Sequence, residues 1–327
     1  MKKRNYREGV PQHVYFRGKN SGIIFYCLQD CIYFLTLYTC LAEKHGIITS
    51  AFTIMPNHSH AQQNPVSHGS FTAFNREFSA TFTRGYNKWH DRRGMLFDNP
   101  FGSSSKPTGK LIKSNLSYIC NNGAEGRLSK GILDYRWSMM AYYNNPAPFS
   151  ERIRRDRISK RLMDAIRMVD YFRAAGRPLG YGIQEILFKK VDKEERKQLT
   201  DYILFRYNPV DYSGIELMFG SVSKALEGME ANCGAEHDIK EDWDDYSVYT
   251  RIGSAVRKKG IRLERVNFET MDARQLKELR AYLKQATHAS DRQLDKYLHM
   301  DTVMPHQTDR NTYLKPHQGG QDMIPKK

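Results

Sequence analysis

At 327 residues, 40% hydrophobic and 27% charged, the chain has the composition of a globular protein and the length of about two domains. Its 51 Lys and Arg against 36 Asp and Glu leave a formal charge of +15, a balance that favours a polyanionic partner, nucleic acid first among them. Five cysteines, odd in number and set mostly in apolar stretches, give no disulfide framework and fit a reducing cytoplasm. No apolar run follows the basic start Met1-Lys2-Lys3-Arg4, so no signal peptide is expected, and the most apolar stretch, Cys31 to Ala42, falls short of the ~20 residues that span a bilayer.

In chain order, His13 to Arg17 reads as a strand closed by a turn at Gly18-Lys19-Asn20, and Gly22 to Tyr26 as a second extended piece. Asp30 is placed to cap a helix through His45, ended by Gly46. The apolar run Ile47 to Ile54 then predicts a strand that continues through Met55-Pro56-Asn57-His58-Ser59-His60. Ser70 opens a second helix, with Phe71, Phe74, Phe78, Phe82, Tyr86 and Trp89 spaced three and four apart as a core stripe. Met95 to Phe97 begins another strand, and Thr108 caps a helix from Gly109 to Asn122 that Gly123 stops. Its buried stripe is Leu111, Ile112, Leu116, Ile119 and Cys120; Tyr118 lies off that stripe, on the flank of Ser114 and Asn122. Strands and helices in this alternation predict an antiparallel α+β sandwich with helices on one face.

Asn144-Asn145-Pro146-Ala147-Pro148 reads as a linker, which sets domains at 1–150 and 151–300, with a polar, disordered tail at 301–327. Residues 151–161 hold six Arg or Lys, Arg154, Arg155 and Arg157 among them, against two acids, and form either a phosphate-facing or a solvated helix. An acidic insert at Glu236 to Asp245 precedes a second basic cluster with Arg257, Lys258 and Lys259. Asp272 to Leu298 predicts two helices broken at Thr287-His288-Ala289-Ser290, loosely a helix-turn-helix.

The chemistry-bearing feature is His58-Ser59-His60. On an extended strand, residues two apart share a face, so both imidazoles point the same way and make half of a divalent-metal site. The bland alternative is two unrelated surface histidines in a chain that has 11.

Met-Pro-Asn-His-Ser-His followed by Tyr118-Ile119-Cys120-Asn121-Asn122 resembles the single-tyrosine HUH transposases, nearest the REP-associated tyrosine transposases. The likeness runs from Arg17-Gly18-Lys19-Asn20 through both motifs to Asp134-Tyr135-Arg136-Trp137-Ser138. The resemblance implies a ferredoxin-like sheet and a nucleophilic Tyr118 that forms a covalent 5′-phosphotyrosine with single-stranded or hairpin DNA. It further implies a Mg²⁺ or Mn²⁺ ion on His58, His60 and Asn122. Ala61-Gln62-Gln63 replaces the apolar run usual in this strand, so Gln62 or Gln63 is a further candidate ligand. Arg17, Lys19 and the two C-terminal basic clusters are candidate DNA contacts. Both histidines are expected at a solvent-facing edge, with the Tyr118 hydroxyl pointing between them. No membrane partner is implied, and monomer or homodimer stays open. The competing reading is a domesticated protein that holds hairpin nucleic acid without cutting it.

Overall fold

The structure, a computed structural model, describes residues 6–154, 156–231 and 245–300. A four-stranded antiparallel sheet in the order β2-β3-β1-β4 is made by β1 (Gln12–Arg17), β2 (Ile47–Met55), β3 (His58–Pro65) and β4 (Gly102–Ser105). Helix α1 (Leu28–Lys44) joins β1 to β2, α2 (His68–Trp89) joins β3 to β4, and α3 (Gly109–Glu125) follows β4. This is the expected ferredoxin-like order. Beyond it the described chain is mainly helical: α4 (Lys160–Ala174), α5 (Tyr181–Lys189), α6 (Lys193–Arg206), α7 (Tyr212–Phe219), α8 (Val222–Ala231), α9 (Ser247–Lys258), α10 (Ala273–Thr287) and α11 (Asp291–Leu298). Among the described residues no helix is long and apolar enough to cross a membrane, and Cys27, Cys31, Cys40 and Cys120 are buried and free.

The alternation of β1 separates the two faces of the sheet. Phe16 packs against Phe34 of α1 and Phe78 of α2, with ring centroids 6.0 and 4.8 Å apart. The predicted stripe of α2 is that core: Phe71, Phe74, Phe78, Phe82 and Tyr86 are buried, each phenyl group adding about 1.5–3 kcal/mol of burial. His13, Tyr15 and Arg17 point the other way, towards α3. There Thr53 Oγ1 donates to the Ile119 carbonyl at 2.9 Å and Asn115 Nδ2 to Gln62 Oε1 at 2.7 Å. So α1 and α2 share one face, and α3 covers the opposite one, where strand–helix alternation predicted helices on a single face. The reason is in β2, which is buried along nearly its whole length and needs a layer on each side.

Local expectations are corrected at several points. The histidines do not sit on a continuation of β2: Pro56 has no N–H to extend the ladder, so Pro56-Asn57 turns the chain and β3 starts at His58, paired with Met55. The extended piece Gly22 to Tyr26 joins no strand of the sheet; Ile24 N and Phe25 N both donate to the Pro56 carbonyl at 3.1 and 3.0 Å. Phe97 makes only a single bridge to Gly18, and the last strand is β4. Asp30 is not the cap of α1 but its third residue, in a capping box with Cys27. The described residues 151–154 and 156–159 precede α4 as coil and turn instead of forming a basic helix.

Gly123 does not stop α3, which runs on to Glu125. It is glycine because a Cβ there would lie 2.5 Å from Tyr135 Cγ, and Tyr135 is held by its hydroxyl donating to the Ile54 carbonyl at 2.7 Å. Gly123→Ala gains at most about 1 kcal/mol of helix propensity against about 1–3 kcal/mol of overpacking. Urea unfolding should therefore show net destabilisation; a more stable variant would mean that Tyr135 yields freely.

One apolar core joins the sheet and α1–α3 to α4–α8, from Val14 to Met229. A second joins α9–α11 to Ile23, Tyr26, Cys27, Met55 and Tyr135. The helix-turn-helix-like pair is present: Asp272 caps α10, His288 takes φ 54°, and Ser290 with Gln293 forms a capping box on α11. Arg155, Cys233, the acidic insert up to Asp244 and the 301–327 tail lie outside the described residues.

Candidate active site

β3 sends His58, His60 and Gln62 towards α3 and Ser59, Ala61 and Gln63 towards α1 and α2. On α3, Asn115, Tyr118 and Asn122 recur at three and four residues and share a face. Two strand residues advance ~6.7 Å and half a heptad of helix ~5.3 Å, so the two rows meet rung by rung. Gln62 accepts from Asn115, the Tyr118 hydroxyl lies 3.5 Å from His60 Nε2, and Asn122 faces and interacts with the His58 ring. The rings of His58 and His60 stand edge to face, 4.7 Å between centroids. The structure thus brings together His58, His60, Gln62, Tyr118 and Asn122. Gln63 is excluded as a ligand beside them: it is on the other face, donating to Tyr38 and exchanging hydrogen bonds with Asn75 at 3.2 and 3.0 Å.

A second ring of polar groups holds these side chains. Asn57 Nδ2 donates to the Ser21 carbonyl at 2.9 Å, which turns its Oδ1 to His58 Nδ1 at 2.6 Å. An amide oxygen only accepts, so His58 Nδ1 carries the hydrogen and Nε2 is bare. Behind His60, His13 Nε2 lies 2.9 Å from His60 Nδ1. Asn122 Nδ2 donates back to the Tyr118 carbonyl at 2.7 Å, locking its own rotamer one turn beyond the tyrosine.

The expected solvent-facing edge is not observed. His58 and His60 are each 1% exposed and Tyr118 6%, and Tyr118 counts among the buried core. The cover comes from α3 itself and from Tyr246, at the start of α9, whose ring is 5.8 Å from that of His58. Burial is the first cause that pushes His58 down to about 3, followed by the Arg17 charge. Burial, then Lys106 and His58, brings His13 down to about 3 as well. Both rings are neutral at ordinary pH, the form in which an imidazole ligates metal.

Among the described residues no group of three or more His, Cys, Asp or Glu is set to hold an ion. The donors available to a cation are therefore two imidazoles and an amide oxygen, a neutral set that suits Mn²⁺ better than Mg²⁺, which prefers oxygen alone. Asn115 Oδ1 is buried with no hydrogen-bond partner among the described residues, a further acceptor on the same helix face. The chemistry of these donors fits a divalent ion.

Of the basic candidates, Arg17 is registered opposite His58 on β1 and acts on it electrostatically. Lys19 lies in the short turn after β1, its N–H donating to Leu96. Arg154 and Arg157 flank Asp156 at 3.5 and 3.6 Å in the coil before α4. Arg257 and Lys258 are exposed at the far end of α9, and Lys259 caps the Tyr282 ring at 4.2 Å. Eleven residues of helix put Arg257 about 16 Å along the axis from Tyr246.

Sequence reasoning missed His13, Asn57, Asn115 and Tyr246. The signal for His13 was present: His13, Tyr15 and Arg17 alternate with Val14 and Phe16, a strand with one polar face. Tyr246 carries no local signal, since its contact with His58 exists only in the folded chain.

No family model matches the chain, and no curated protein matches it. A solved structure described as that of a REP-associated tyrosine transposase bound to a REP hairpin is similar over 42% of this chain and 81% of its own, at 16% identity and a TM-score of 0.37.

Proposed function

We propose that the chain is a metal-dependent enzyme that nicks single-stranded DNA at hairpin-forming repeats and transfers the cut strand through Tyr118. The observation that carries this reading is the Tyr118 hydroxyl 3.5 Å from His60 Nε2, with His58 edge-on beside it. In the step proposed, the Tyr118 oxygen bonds to phosphorus as the bond to the 3′ oxygen breaks, giving a 5′-phosphotyrosine and a free 3′-hydroxyl. Reversal by another 3′-hydroxyl passes the strand on without ATP. A divalent cation on His58, His60 and Asn122 would supply positive charge to the phosphate oxygens. Arg17, opposite His58, faces the same region and adds charge from the protein.

Burial of the site favours a second reading, a protein that binds hairpin nucleic acid without cleaving it, because Tyr118 reaches DNA only if its cover moves. The test is incubation of the full-length protein with hairpin-bearing single-stranded DNA and Mn²⁺ or Mg²⁺. A covalent adduct that Tyr118→Phe abolishes is expected. Salt-dependent binding with no adduct, equal in the two proteins, would establish the second reading instead.

A further inference from the structure

We propose that His13 is a positioning residue that fixes the tautomer of His60, holding hydrogen on its Nδ1 and a lone pair on the Nε2 that faces Tyr118. The inference rests on the reading of His60 and Tyr118 as members of one site, and adds a residue to it from the central strand of the sheet.

His13 Nε2 and His60 Nδ1 are 2.9 Å apart, and both residues are buried. At that distance a single hydrogen lies between the two nitrogens, so one donates and the other accepts. If His13 donated, His60 would carry its own hydrogen on Nε2 and could neither ligate a metal nor accept from Tyr118. If His60 donates from Nδ1, its Nε2 lone pair faces the Tyr118 hydroxyl, and a phenol is the stronger donor of the two groups.

His58 shows the same construction with less freedom. Asn57, turned by its bond to Ser21, takes the Nδ1 hydrogen of His58 and bares its Nε2. Each histidine of β3 is thus tied back through Nδ1 and presents Nε2 to α3, an arrangement that outer partners of metal-ligating histidines commonly impose. His13 cannot swing aside. It sits opposite Gln62 on a strand paired on both edges, its ring 5.0 Å from that of His60 and 5.6 Å, edge-on, from that of Tyr118.

The decisive measurement is the ¹⁵N spectrum of the histidine side chains in the full-length, metal-free protein. His60 should show hydrogen on Nδ1 and a bare Nε2; hydrogen on Nε2 overturns the proposal. Mn²⁺ affinity, read by electron paramagnetic resonance with the ion alone, should fall about 10–100-fold in His13→Phe. His13→Gln, whose amide oxygen still accepts from Nδ1, should restore it, which a packing role would not do. Mn²⁺ binding by His13→Phe equal to that of the unaltered protein would also overturn the proposal. Should the phenylalanine variant not fold, the glutamine variant and the tautomer of the unaltered protein decide. An absent DNA adduct together with a bare His60 Nε2 defeats the cleavage reading and leaves the role of His13 standing. An adduct with hydrogen on Nε2 does the reverse.

Discussion

Between pH 6 and pH 4 the metal-free protein should lose on the order of 5 kcal/mol of folding stability from two buried histidines alone. His13 and His58 are each depressed to about 3 in the fold, against an ordinary value of 6.5. Below about 6.5 the unfolded chain takes up a proton at each position that the folded protein refuses. Stability therefore falls as pH drops from 6.5 towards 3, and is unaffected by these two groups above that window. The slope per histidine is about 1.4 kcal/mol for each pH unit. Urea unfolding in the presence of a chelator at several pH values would show it, and His58→Gln should flatten the slope by about half. A stability that stays level from pH 7 to pH 4 would mean that water reaches the rings.

Asp30→Ala should destabilise the protein by about 3–5 kcal/mol, because it strips a buried carboxylate from five donors at once. Asp30 Oδ2 accepts from Tyr26 N at 3.0 Å, Cys27 N at 3.2 Å and Cys27 Sγ at 3.3 Å. Its Oδ1 faces His90 Nε2 at 2.8 Å and accepts from the Tyr181 hydroxyl at 2.9 Å. His90 in turn meets the Val266 carbonyl at 3.2 Å. One side chain thus ties the start of α1 to the end of α2, to α5 and to the loop before α10. Asparagine keeps the shape but offers an NH₂ to a ring of donors, so Asp30→Asn should recover little of the loss. Equilibrium unfolding measures both; a loss under about 1 kcal/mol would show that water replaces the carboxylate readily.

What was legible in the sequence was what short-range patterning controls. The aromatic stripe of α2, the cap at Thr108, the break between α10 and α11 and the α3 flank holding Tyr118 and Asn122 follow from helical spacing and local hydrogen bonding. The errors fall where distant segments decide. Pro56-Asn57 is a turn, as the missing N–H of proline permits, but the apolar run before it masked that ending. Gly123 is held by Tyr135 and does not end the helix. Gln63 was a ligand candidate only while its face was unknown; Tyr38 and Asn75 claim it. The histidines were expected in solvent because nothing near them in sequence announces α3 or Tyr246 as cover.

The strand that carries the histidines is also an exception to the way strands usually find their place. Ser59, Ala61 and Gln63 on one side and His58, His60 and Gln62 on the other leave β3 with no oily side. A slip of one residue would turn both imidazoles away from α3 while exposing little apolar surface, so hydrophobic burial does not reject the error. Discrimination falls to directional contacts: the tight turn at Pro56-Asn57, the Gly18 N–H on the Asn57 carbonyl at 2.8 Å, and the amide pairs Gln62–Asn115 and Gln63–Asn75. These amides proofread the alignment of the strand, and in this protein the fidelity of assembly and the chemistry of the site are written in the same few polar side chains.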